Sequence, residues 1–267
     1  FGTGVDADLY TASYNSTLYL FTTMCYALCI AAVPILTKEF AADRRRGEKA
    51  ANTLMTVTLL GAGGAGFPTH VKINCKAEFV LANGAECEPL LRVDQQVMQY
   101  FAADVVRGIR AVKEFTGAKR AVICLKEHYH AAVAALQEVL KDADDVELHL
   151  LQGYYPAGDE QIMVYEVTGR VIPPSAIPAA VSSVVSNVGT VAAISDALKG
   201  IPLTQKIITL TGEVANPKIV SAPVGTPIQE IIDCGNPIPG RYTVILGGPL
   251  MGRRVGAEQI ADEYVTK

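Results

Sequence analysis

The chain has 267 residues, enough for one large domain or for two or three smaller ones. Its 23 basic and 27 acidic side chains leave a formal charge of −4, and no basic face with interleaved aromatics is visible, which excludes a nucleic-acid binder. Half of the residues are apolar, a high share for a soluble protein, and the excess sits at the front of the chain.

From Leu9 to Thr37 no residue is charged, and Ser16 to Leu36 reads STLYLFTTMCYALCIAAVPIL, about the 20 residues a helix needs to cross a bilayer. Lys38, Arg44, Arg45, Arg46 and Lys49 follow it, a basic loop that the positive-inside rule puts on the cytoplasmic side. A cleaved export signal fits the charge order poorly, since the basic residues follow the apolar run and Asp6 and Asp8 precede it. The pattern predicts a transmembrane segment and membrane association through 9–37; a hairpin of buried core helices is the alternative. The segments FGTGVDADLYTASYN and AAVPILTKEFAADRRRGEKAAN resemble part of the MurJ-type lipid-flippase family. That resemblance implies that residues 1–60 carry parts of two membrane helices and that Leu60/Gly61 is a seam between unrelated sequences.

At Gly61 the composition changes to GAGGAGFPTHVK, with four glycines in six residues. Without Cβ atoms the backbone there can approach a bulky anion and aim its N–H groups inward. The spacing fits neither the phosphate loop ending in Gly-Lys-Ser/Thr nor the dinucleotide fingerprint, so a third kind of nucleotide loop is expected. Strand and helix signals then alternate. Glu78–Asn83 reads as a strand, Val93–Phe115 as a helix, Ala118–Leu125 as a strand, His130–Leu140 as a helix and Glu147–Leu151 as a strand. That rhythm predicts an α/β layer with parallel strands. Tyr155–Glu160 (YPAGDE) opens a helix to Thr168, and Asn187-Val188-Gly189-Thr190 opens another to Lys199, each with small or polar residues at a helix N-terminus that favours anions.

Four segments, GAGGAGFPTHVK, NGAECEPLLRVDQ, YYPAGDEQ and SNVGT, in this order closely resemble the flavoprotein family that contains the RnfC component of the Rnf complex. The cobalamin-reductase and proline-reductase electron carriers and, more distantly, the flavin subunit of respiratory complex I belong to it. The likeness covers about 61–252, and YPAGDE with TGRVIPP leans toward the cobalamin- or proline-reductase branch. By resemblance, Gly61, Gly63, Gly64 and Gly66 wrap the phosphate and ribityl chain of FMN, and Lys72 supplies a cation. Asn83, Glu86, Asn187 and Thr190 would bond the isoalloxazine and ribityl groups. Phe67, Glu88 and Glu160 would face the nicotinamide nucleotide. No residue is assigned as catalytic, because a flavin does the chemistry and the protein supplies placement and field. Read singly, each residue has a plainer role: the glycines as a tight turn, Lys72 as a solvated lysine, Asn83 and Asn187 as caps, Glu86 and Glu88 as a solvated acidic loop.

The six cysteines, at 25, 29, 75, 87, 124 and 234, form no Cys-x-x-Cys pair, so neither an iron–sulfur cluster nor another metal site is expected within the chain. His128 and His130 straddle a helix start and are read as non-ligands. Ile207–Val214 and Tyr242–Leu246 read as strands and Ile228–Cys234 as a short helix, which resembles the small β-grasp (SLBB-like) module of the same family. The expected division is a hydrophobic helical segment 1–60, an FMN/NADH-binding α/β domain 61–203, a β-grasp-like domain 204–252 and a polar tail 253–267. The function implied is hydride transfer from NADH to FMN and electron delivery to an iron–sulfur partner, in the cytoplasm or at the cytoplasmic face of the inner membrane. The alternatives are a lipid-flippase membrane fragment and a nucleotide-binding module without turnover.

Overall fold

The computed structural model describes residues 69–240 and 242–265. Four short apolar segments, β1 (Phe79–Gly84), β2 (Arg120–Lys126), β3 (Glu147–Leu151) and β4 (Ser183–Asn187), form one sheet in the order β3-β2-β1-β4. Every neighbouring pair is parallel. β1 and β2 are near-continuous apolar runs, and β4 is buried over Ser183–Ser186, because both faces of these strands are covered. Successive residues feed opposite cores. Val80, Ala82, Ile123, Leu125 and Val184 pack against α2 (Val93–Tyr100), α3 (Ala102–Thr116), α4 (His130–Leu140) and α6 (Val188–Leu198). Leu81, Val122, Cys124 and Val185 face the other way, onto Met163 and Val164 of α5 (Glu160–Thr168). A short helix α1 (Thr69–Ile73) precedes the sheet.

The chain adds β2 and β3 on one side of β1 and then returns to place β4 on the other. In such open sheets the strand order reverses at a crevice outside the carboxyl ends, here between β1 and β4.

Several elements differ from the sequence expectation. The helix expected over Val93–Phe115 is two helices, meeting at Phe101, whose backbone (φ −121°, ψ 30°) leaves the helical region. The apolar spacing runs through the break, Val97 and Met98 then Ala102 and Val105, so periodicity could not reveal it. β4 was legible only as the SNVGT motif, because its five residues, the first four of them buried, carry no apolar alternation.

Beyond α6, β5 (Gln205–Leu210) pairs antiparallel with β6 (Lys218–Pro223), and β7 (Val244–Leu246) pairs antiparallel with β8 (Arg253–Val255). Helix α7 (Ile228–Asp233) joins the two ribbons, with Ile231 in one apolar cluster and Ile232 in the other. The polar tail expected from 253 onward is corrected over 253–265. Val255, Ile260 and Val265 are buried and close the two clusters, and Val265 exchanges backbone hydrogen bonds with Gly225 and Thr226. Val255, Ile260 and Val265, the three branched aliphatic side chains in these thirteen residues, are a weak signal by composition, yet each reaches a core. Among the described residues no helix is long and apolar enough to cross a membrane. The helical segment 1–60, with its membrane candidate 9–37, lies outside them.

Candidate functional site

Asn83 and Asn187 are register partners at the carboxyl ends of β1 and β4. Asn187 is the N-cap of α6: its Oδ1 accepts from the Gly189 N–H at 2.8 Å, and its Nδ2 donates to Asp94 Oδ2 at 2.8 Å. Asn83 is built alike. Its Oδ1 accepts from the Ala85 N–H at 3.1 Å while its Nδ2 donates to the Gly158 carbonyl at 2.8 Å. Neither amide can turn over without breaking both bonds, since oxygen only accepts and nitrogen only donates. Each retains a second N–H with no protein partner among the described residues, and the two sit side by side on adjacent strands.

The other loops close around this pair. The Gly158 N–H donates to Cys87 Sγ at 2.9 Å, and a Cβ on Gly158 would lie 2.8 Å from that sulfur, so the YPAGDE loop is seated on the NGAEC loop. Asp159 caps α5 by accepting from the N–H groups of Gln161 and Ile162. Lys72 of α1 meets Glu160 of α5 with Nζ–Oε1 at 2.9 Å. Tyr129, after β2, donates its hydroxyl to the Ala85 carbonyl at 3.0 Å.

Negative charge is concentrated here. Glu86 takes a left-handed backbone (φ 42°), and its carboxylate accepts from the N–H groups of Asp94 and Gln95 and from Gln95 Nε2, capping α2 across the loop. Burial raises the Glu86 carboxyl above its ordinary range, and those hydrogen bonds oppose the shift. Burial, and then the neighbouring Glu86 charge, push Asp94 up to about 7, while the Asn187 amide pulls it down. Burial also pushes the Tyr129 phenol up, with the charges of Glu86 and Asp94 adding.

The structure thus brings together Lys72, Asn83, Glu86, Glu160 and Asn187, with Thr190 buried in the first turn of α6. Gly61, Gly63, Gly64, Gly66 and Phe67 lie outside the described residues. Glu88 turns elsewhere: its carboxylate accepts from the N–H groups of Leu250 and Met251 at 2.9 and 2.7 Å, in the loop between β7 and β8. Asp94 was not singled out from the sequence, although it lies inside the second motif; its partner is 93 residues away, and no local pattern marks it. Among the described residues no group of three or more His, Cys, Asp or Glu could hold a metal ion.

The second, third and fourth motif segments meet at the strand-order reversal of this open parallel sheet, the crevice where sheets of this class bind nucleotide cofactors. The Nuo51 FMN-binding domain model matches residues 55–196, more than half of the chain, and the SLBB domain model matches 207–254. The chain belongs to the Nuo51 FMN-binding domain family, with an SLBB domain following. It is 44% identical over 215 residues to cobalamin reductase PduS of Salmonella typhimurium, covering 78% of this chain and 46% of that protein. It is 36% identical over 208 residues to a component of the Na(+)-translocating ferredoxin:NAD(+) oxidoreductase complex of Acetobacterium woodii, covering 74% of this chain and 46% of that one. The chain therefore spans less than half the length of these curated relatives. Among solved structures, NAD+-reducing NiFe-hydrogenase in the air-oxidised state superposes with a TM-score of 0.69 at 25% identity, over 80% of this chain and 43% of that one.

The described residues suit FMN. Two buried hydroxyls, Thr69 Oγ1 and Ser186 Oγ, have no hydrogen-bond partner among the described residues. A buried hydroxyl left unpaired costs about 1–3 kcal/mol. Both fall in motif segments, and the two spare amide N–H groups are donors that a ring edge or a polyhydroxyl chain could accept from.

Proposed function

We propose that the chain is an FMN-dependent module that takes hydride from NADH and delivers electrons to an iron–sulfur partner. The observation that carries this reading is the pair Asn83 and Asn187, locked in one orientation at the switch point with an uncommitted N–H each. Bound FMN would supply the chemistry, accepting two electrons as hydride and releasing them singly. The chain's own residues do the rest. Gly61, Gly63, Gly64 and Gly66 with Lys72 hold the phosphate end. Asn83, Asn187, Thr190 and the Glu86 loop hold the isoalloxazine and ribityl groups. Phe67, Glu88 and Glu160 receive the nicotinamide nucleotide. The relatives' names, a cobalamin reductase and a component of a ferredoxin:NAD(+) oxidoreductase complex, support NADH-linked electron transfer with partner proteins. A site that uses NADH belongs on the cytoplasmic side, in solution or at the membrane.

The test is to reconstitute the chain with FMN and record the visible spectrum before and after anaerobic NADH. A bound flavin that bleaches is expected. Gly64→Val and Lys72→Ala should each lower FMN occupancy several-fold with the far-UV circular dichroism unchanged; full occupancy in both would refute the site.

A further inference from the structure

We propose that Asp94, a residue outside the flavin ligand set, is the positioning residue that aims the Asn187 amide at the flavin. The inference rests on the FMN reading above. Asn187 has two jobs that compete for its rotamer, capping α6 through Oδ1 and presenting an N–H to the crevice through Nδ2. The N-cap bond alone fixes the oxygen. The 2.8 Å bond from Nδ2 to Asp94 Oδ2 fixes the roll of the amide plane, so the remaining N–H has one direction left to it.

Asp94 is itself held from behind, on the first turn of α2, where the Glu86 carboxylate accepts its backbone N–H at 3.0 Å. The second motif is thereby tied to the fourth through α2. Asn83 has its equivalent in a backbone carbonyl, that of Gly158, which needs no titratable group. Asn187 uses a carboxylate instead, although Glu86 stands beside it, the Tyr129 phenol packs nearby, and Asn187 offers only a neutral amide in return. Two carboxyls crowded into a partly buried corner cost stability. An aligned donor in the ligand crevice is a benefit that such a cost can serve.

The experiment titrates FMN into the full chain by quenching of flavin fluorescence, with thermal melts as the folding control. Asp94→Ala should weaken FMN binding about tenfold, the scale of one lost charge-assisted hydrogen bond. Asp94→Asn should stay within about threefold of the unmodified chain, because its amide oxygen can still accept from Asn187. The exchange Asp94→Asn with Asn187→Asp keeps the bond, reverses its donor, and removes the spare N–H from position 187; it should fold normally and still bind FMN about tenfold more weakly. A residue of purely structural importance would be rescued by that exchange. FMN binding as tight as the unmodified chain in Asp94→Ala, or in the exchanged pair, overturns the proposal. Should Asp94→Ala fail to fold, Asp94→Ser, whose shorter side chain cannot reach Asn187, takes its place with the same expected loss and the same overturning result. An unmodified chain that takes up no FMN overturns the functional reading itself, which separates the two failures.

Discussion

Asp94 is where the physics of a single residue is most exposed. A carboxyl held up to about 7 in the folded chain, against an ordinary value of 3.8, keeps a proton that the unfolded chain has already released. The sign follows: the folded state binds more protons between about 3.8 and 7, so this residue's contribution falls as pH rises through that window and is fully unfavourable above it. Asp94→Asn should therefore stabilise the flavin-free chain by ~1–2 kcal/mol at pH 8 and by almost nothing at pH 4. Urea titrations at the two pH values check this, and an equal effect at both would show that the carboxyl is not held protonated. Lys72 and Glu160 make a different case. Their contact is half-exposed, so it adds at most ~1 kcal/mol and serves to bring α1 to the start of α5.

At the scale of elements, two contacts decide how the site is assembled. α3 and α6 touch backbone to backbone at Gly108, where a Cβ would sit 1.9 Å from the Val191 carbonyl oxygen. Both partners are main chain, so neither can move aside cheaply. Gly108→Ala should cost ~2–4 kcal/mol and push the N-terminus of α6, with Asn187, away from β1. A shift in thermal midpoint of under a degree would contradict that close approach. The second contact is Glu88, which ties the loop after β1 to the loop between β7 and β8 by accepting two backbone N–H groups. Glu88→Ala should speed amide hydrogen exchange at Leu250 and Met251 about tenfold or more while leaving β1 protected. If Glu88 serves a nucleotide as proposed, NADH should produce the same local loss of protection in the unmodified chain.

Over the whole of 69–265, an α/β sheet ending in α6 is followed by a small module with its own two apolar clusters. Ile207 of β5 packs on the sheet's core, but the two smaller clusters are otherwise built from the module's own residues, which implies largely separable stability. Val255→Asp, which buries a charge in the smaller clusters, should cost ~3 kcal/mol or more there and strip protection from β5–β8, while β1–β4 remain protected. Loss of protection in β1–β4 as well would show one cooperative unit.

Much of this was legible in the residues alone. The helix His130–Leu140 and the strand Glu147–Leu151 stand where the apolar pattern puts them, and Asp159 and Asn187 cap the helices that their motifs open. Periodicity and capping are local, so a sequence carries them in full. The four motifs likewise pointed to the flavin-binding family to which the chain belongs. What the tertiary structure decided was adjacency. Strand order put Asn83 beside Asn187, Asn83 on Gly158 75 residues away, Asp94 on Asn187 93 residues away, and Glu88 on Leu250 162 residues away. Asn187 meets Asn83 and Asp94 because β4 returns to the open side of β1, and a hydrogen bond between residues so far apart leaves no periodic trace in the chain.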